Sequence, residues 1–421
     1  MSRAGAVSRR RFLGAAGAAG AGALVASTTG IAGEALTASP AAAAVDVTAE
    51  VVPFHGQHQA GIVTPAQDKM LTATFDVTAP NRDDVVDLLR QWTRAARRMT
   101  AGLPVGTDNT DQDAPPDDTG ESVGLGPAAL TVTFGFGTTL FERDGVDRFG
   151  LAAQRPAALA DLPSFAGDEI EPARSGGDLI VQACANDPQV AFHAIRNLAR
   201  IGRGDVVLRW SQSGFGRTSK TDAAQVTPRN LMGFKDGTNN LVAENADAIA
   251  QHVWVGNRDD PAWMRGGTYM VVRRIRMLLE VWDRSTLADQ EATIGRVKSS
   301  GAPLGRTREH QAVDLKARSD GELVIPADAH IRLAAPATNR GVALLRRGYS
   351  FTDGIDPVTN QLDAGLFFVA FQRDPRTGFI PVQRSLATDA LNEYIRHTGT
   401  GLFAVPPGVQ SGGFVGETLF A

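Results

Sequence analysis

Three stretches of this 421-residue chain carry side chains able to do chemistry. The first is Gly233-Phe234-Lys235-Asp236-Gly237-Thr238-Asn239-Asn240. It sets one carboxylate between glycines, where missing side-chain bulk lets a flat ligand approach closely. A plain turn is the other reading, since Asp-Gly is a common turn pair. The second is Ala327-Asp328-Ala329-His330-Ile331-Arg332-Leu333-Ala334-Ala335-Pro336. An imidazole among small and apolar residues suits a buried axial ligand to haem iron, and Arg332 could meet a carboxylate of that ligand. A structural histidine is the alternative. The third is Leu344-Leu345-Arg346-Arg347-Gly348-Tyr349-Ser350-Phe351. Arginines inside an apolar strand are costly to bury without a charge partner; on an edge strand both guanidiniums would instead sit in solvent.

The elements that must position these groups belong to a folded chain. Hydrophobic residues make up 43% and charged residues 21%, with a formal net charge of −4. That balance excludes disorder as the dominant state and gives no basic footprint for nucleic acid. The single cysteine, Cys184, excludes an intrachain disulfide, cysteine-based zinc sites, iron–sulfur clusters and covalent CxxCH haem attachment. Residues 1–44 read as a twin-arginine signal peptide: Arg9-Arg10, then Phe12-Leu13, an Ala/Gly-rich stretch and small residues at 42–44. The stretch is too weakly apolar for a stable membrane span. Export to the periplasm, cell envelope or exterior is expected, on a route that carries folded proteins with cofactors already inserted.

Along the remaining chain, Met70–Val77 alternates as a strand, Asp83–Met99 repeats as a helix, and 130–137 and 178–185 read as strands. Pro188–Ile201 reads as a helix and Val206–Trp210 as a strand, while 107–121 is an acidic, proline-interrupted loop. The order β, α, β, β, α, β is the split pattern of a ferredoxin-like sandwich. The second half is expected to repeat it: a strand at Thr268–Ile275, a helix at Leu279–Ile294, strands from Val342 onward and at 365–371, and a helix at Leu386–His397. The expected fold is α+β: two ferredoxin-like domains, 45–225 and 226–421, whose antiparallel sheets face each other with helices outside, in the manner of dimeric α+β barrels.

Taken together, the three stretches resemble the dye-decolourising peroxidase family. GFKDG matches its GxxDG motif. PFHGQHQAGI at 53–62, LTVTFGFG at 130–137, GGDL at 176–179, HIRLAAP at 330–336, LLRRGYSF at 344–351 and GLFFVAFQRD at 365–374 resemble its exported, iron-transport-associated branch. The resemblance implies one non-covalent haem b per chain in the C-terminal domain, with His330 as the axial ligand. It implies Asp236 as the distal acid and base and Arg346, with Arg347 as fallback, as the distal arginine. Gly237, Thr238 and Asn239 would line the haem edge, Leu366 and Phe368 would cover its distal face, and Arg332, Ala335 and Pro336 would also contact it. Asp389 or Glu393 would hydrogen-bond the imidazole. The substrates implied are hydrogen peroxide and an aromatic electron donor. An aspartate titrating near ~4 stays ionised in mild acid, so an acidic optimum is expected.

Bulky donors would need a surface relay, and Trp92, Trp210, Trp254, Trp263, Trp282, Tyr269, Tyr349 and Tyr394 are the candidates. Two further readings fit the same residues: a deferrochelatase that releases iron and leaves the porphyrin intact, with iron-transport components as partners, and a non-catalytic haem carrier. A divalent-metal site at His55-x-x-His58 has no third ligand nearby. Assembly into a homo-oligomer is compatible with the sequence.

Overall fold

Alternation along the strands decides which face of each sheet is covered. In the computed structural model, which describes residues 48–106, 111–259 and 261–421, β1 (Lys69–Val77) turns Ala73, Phe75 and Val77 toward a helix layer and Met70 toward the opposite core. The signal-like residues 1–44, and 107–110 of the acidic loop, lie outside the described residues. Helix α1 (Arg82–Thr100) starts at Asn81, whose side chain accepts from the Asp84 N–H. Acidic Asp83 and Asp84 sit in its first turn and basic Arg97 and Arg98 in its last, both favourable to the helix dipole. It buries Val85, Leu88, Leu89 and Trp92 against the sheet. Strands β2 (Thr131–Gly137) and β3 (Leu179–Ala185), helix α2 (Pro188–Ile201) and strand β4 (Val206–Arg217) complete this half. Its strands pair in the order β2-β3-β1-β4.

The second half uses β5 (Thr268–Met277), helix α3 (Leu287–Ile294), β6 (Tyr349–Ile355), β7 (Leu362–Gln372), helix α4 (Phe379–Ser385) and β8 (Ile395–Val405). It pairs as β8-β5-β7-β6, the same arrangement as the first half. The sheets do not remain separate. They join edge to edge at Phe403↔Gly137 and Ala404↔Phe136, and again at Phe215↔Ser350 and Arg217↔Tyr349. Eight antiparallel strands thus close into one barrel within a single compact unit, residues 46–421, and closure removes most free edges.

Three expected elements differ. Leu386–His397 is not a helix: two 3-10 turns (Leu386–Thr388, Ala390–Glu393) lead into β8. Asp389 caps the second turn by accepting from Leu391 N–H, and the β-paired run from Ile395 overrides the local periodicity. Leu279–Ile294 breaks into Leu279–Trp282 and α3, because Thr286 caps a new start by accepting from the Asp289 N–H. The strand expected from Val342 begins with the short Leu345–Arg346 pairing against β7. Among the described residues no helix is long and apolar enough to cross a membrane.

Candidate active site

Outward-facing residues of the second sheet form the floor of a cavity: Ile275 and Met277 of β5, Leu366 and Phe368 of β7, and Ile395 of β8. Phe367, between Leu366 and Phe368, points to the barrel interior, as strand alternation requires. The walls come from the loop at 230–239, the turn at His330–Pro336 and helix α4.

The Gly233–Asn240 loop is more than a turn. Gly237 adopts φ +81°, and a Cβ there would lie 2.8 Å from Ser219 Cα, so only glycine lets the loop pack this closely. Next to it, Asp236 Oδ1 accepts from Arg346 Nη1 at 2.8 Å and Oδ2 from Asn230 Nδ2 at 3.3 Å. The loop is pinned from behind. Lys235 pairs with Glu309, and Thr238 Oγ1 donates to Glu309 Oε1 at 3.1 Å. Burial alone would raise the Glu309 pKa, but these partners hold it down at about 2.

The arginine pair divides between two faces of the chain. Arg346 lines the cavity. Arg347 is fully buried and donates to the carbonyls of Thr64 and Pro65, to Gln67 Oε1 and to Thr221 Oγ1. Arg346 thus faces Asp236, and Arg347 ties loop to barrel.

His330 opens the short helix His330–Leu333. Its Nδ1 lies 2.6 Å from Asp389 Oδ2, while Asp389 is almost fully buried and its Oδ1 accepts from Leu391 N–H. Burial favours the neutral imidazole, but the Asp389 carboxylate outweighs it and lifts the pKa above the ordinary histidine value. In the neutral ring, an Nδ1–H donated to Asp389 leaves the lone pair on Nε2, and no described residue bonds that atom. Glu393 makes no bond to His330.

Asp236, Gly237, Thr238, Asn239, His330, Ala335, Pro336, Arg346, Leu366 and Phe368 all line this one cavity. Arg332 is not among the lining residues: its Nε and Nη2 donate to the carbonyls of Ile325 and Pro326, at 2.9 Å in the Nε–Pro326 bond, and so brace the turn. The structure adds residues that the sequence did not single out. Asn240 grips both backbone groups of Arg346: Oδ1 accepts from its N–H and Nδ2 donates to its C=O, each at 2.8 Å. Arg296 lines the cavity while its Nη1 donates only to carbonyls, those of Gly301 and Glu309; burial lowers its pKa. Only an unusual pairing partner in a sequence pattern could have flagged either, and no such pattern exists for backbone clamps.

His55 and His58 use Nδ1 on different carbonyls, of Val409 and Gly266, and the described residues hold no cluster suited to a metal ion. Of the eight relay candidates, Trp254 alone is not buried. It stacks on His58 with ring centres 3.8 Å apart.

Two family models match nearly the whole described region: Dyp-type peroxidase, N-terminal, over residues 59–216, and Dyp-type peroxidase, C-terminal, over residues 227–410. The chain belongs to the Dyp-type peroxidase family. Similar relatives include the Escherichia coli K12 protein named deferrochelatase, 38% identical over 408 residues that cover 96% of this chain and 94% of the relative. The Shigella sonnei deferrochelatase is also 38% identical, covering 98% and 96%. Among solved structures, ferric DtpA from Streptomyces lividans is 43% identical with a TM-score of 0.81, covering 89% of this chain and 99% of its own. The Dyp-type peroxidase from Cellulomonas bogoriensis is 40% identical with a TM-score of 0.79 and the same coverage. A Rhodococcus jostii DypB variant in complex with heme shares the fold at 19% identity and a TM-score of 0.57.

Proposed function

We propose that this chain is a haem b peroxidase that reduces hydrogen peroxide and oxidises aromatic donors one electron at a time. The observation that carries this reading is one cavity lined by an imidazole whose Nε2 bonds no described residue and by an ion-paired Asp236 and Arg346. Dyp-type membership over both halves supports it.

The residues present fit the prosthetic group. The walls are apolar where a flat macrocycle needs them, at Ile275, Leu366, Phe368, Ile331 and Leu386. A nitrogen ligand is supplied by His330, its tautomer fixed by a buried carboxylate. Arg296 offers a cation for a propionate in the role expected of Arg332. Bound haem supplies redox-active iron; everything else falls to the side chains. Asp236 takes the proton from one peroxide oxygen and returns it to the other, acting as base and then acid. Arg346 stabilises the negative charge that grows on the departing oxygen. Leu366 and Phe368 keep bulk water and large donors out.

A second reading follows from the relatives named deferrochelatase: iron release from haem with the porphyrin preserved, in concert with iron-transport components. Product analysis separates the two. Peroxide-dependent oxidation of a dye, with haem intact, supports the peroxidase; free protoporphyrin formed from haem without peroxide supports iron release. Export through the twin-arginine leader is part of the same proposal, carried by Arg9-Arg10 and the residues that follow. Cell fractionation with both arginines replaced by lysine tests it.

A further inference from the structure

The two sheets pair along only a short stretch at the β4–β6 seam, at Phe215 and Arg217. Above that stretch the strands part, and a cavity of about 910 Å³ opens between β4, helix α2 and the barrel mouth. It lies apart from the cavity of His330 and shares none of the side chains assigned to peroxide chemistry. Its base is apolar and aromatic: Trp210, whose indole N–H is already bonded to Gly176 O at 2.9 Å, and Phe367, ring centres 6.1 Å apart. Its rim exposes Phe192 by 50% and Leu208 by 49%.

The charges around it do not balance. Arg274 is neutralised by Asp353 and Asp363, Arg174 pairs with Glu171, and Arg196 with Glu121. Arg200 and Arg203 also line the cavity, yet neither meets a carboxylate among the described residues. Arg200 Nη2 donates to the Asp117 carbonyl, and its buried Nε has no partner among the described residues. The two guanidiniums therefore leave positive charge on the cleft wall without a described carboxylate to offset it, and Arg can hold a carboxylate or sulfonate through two parallel bonds.

We propose that this cleft is a second ligand site, for an aromatic ring bearing one anionic substituent. The ring packs on Leu208, Phe192 and the Trp210 base, and the anion meets Arg200 and Arg203. The site stands on these contacts alone and does not depend on the peroxidase reading.

The test is calorimetric titration of the haem-loaded full chain with 2-naphthalenesulfonate, without peroxide. One site per chain is expected, with the neutral 2-naphthalenemethanol binding at least tenfold more weakly. Arg203→Glu is expected to weaken binding tenfold or more; Arg203 is exposed and its side chain bonds no described residue, so its replacement should leave folding intact. Arg200→Gln should weaken it similarly, whereas Asp236→Asn should leave affinity unchanged. Absence of binding, equal affinity for the neutral analogue, or unchanged affinity in both arginine variants would overturn the proposal. Loss of binding in Asp236→Asn would place the ligand in the haem cavity instead, and would overturn it equally.

Discussion

Asn240→Ala removes no group that touches peroxide, yet it is expected to disable Arg346. Asn240 holds the Arg346 backbone by two bonds of 2.8 Å, and its Nδ2 also donates to Lys220 O at 2.7 Å. Three bonds at about 1 kcal/mol net each suggest a stability loss of about 3 kcal/mol. The catalytic effect comes from position. The 2.8 Å contact of Arg346 Nη1 with Asp236 Oδ1 depends on a backbone that the clamp holds, and a shift of about 1 Å is enough to lower a rate ~100-fold. Removing the guanidinium itself, in Arg346→Leu, should slow the peroxide step ~100- to 1000-fold. Stopped-flow measurement of the reaction with peroxide, in both single variants and the double variant, forms a cycle. Because both changes act through one guanidinium, the double variant should be no slower than Arg346→Leu alone. Asn240→Asp, which keeps the acceptor for the Arg346 N–H, should recover part of the rate. If the losses in the double variant multiply, the clamp works through some other group and the reasoning fails.

Other outcomes follow from neighbouring contacts. Asp236→Asn keeps the shape but cannot exchange a proton, so the peroxide step should slow ~100- to 10,000-fold with haem still bound; an unchanged rate would remove Asp236 from proton transfer. Asp389→Ala leaves the His330 Nδ1–H without its carboxylate and should weaken haem affinity ~10- to 100-fold, read by haem transfer to apomyoglobin. His397 is kept neutral, first by burial and then by the Arg273 charge, with its pKa lowered from 6.5 to about 4. Between those values the unfolded chain takes up a proton that the folded chain refuses. Stability is therefore fully present above pH 6.5 and falls as pH drops toward 4, by up to about 3 kcal/mol from this residue. Urea denaturation at pH 7.5 and 4.5 should show a smaller acid loss in His397→Asn than in the unaltered chain.

The sequence exposed what depends on local pattern. The alternating run at Met70–Val77 and the helical apolar spacing over Asp83–Met99 were legible because both periods act within a few residues. Residue types within three short stretches, and their resemblance to a known family, likewise brought Asp236, His330 and Arg346 into view. What stayed hidden depends on partners distant in the chain. Leu386–His397 carries helical periodicity, but pairing with β5 turns its end into strand. Barrel closure rests on two short seams that no local signal encodes. Arg346 and Arg347 are chemically alike, and only the loop at Thr64–Gln67 reveals which one is structural. Arg332 looked available because its carbonyl partners, Ile325 and Pro326, are backbone atoms and leave no mark in side-chain types. The choice of Asp389 over Glu393 depends on a hydrogen bond across 59 residues.

The most direct measurement is an absorption titration of apoprotein with hemin, for the unaltered chain and for His330→Ala. The unaltered chain should saturate at one haem per chain with the Soret band of a histidine-ligated iron, and that band should shift when one equivalent of peroxide is added. His330→Ala should lose this spectrum, and added imidazole should restore it in part. An identical spectrum and affinity in the two proteins, or an unaltered chain that takes up no hemin, would contradict the assignment of His330 Nε2 as the iron ligand.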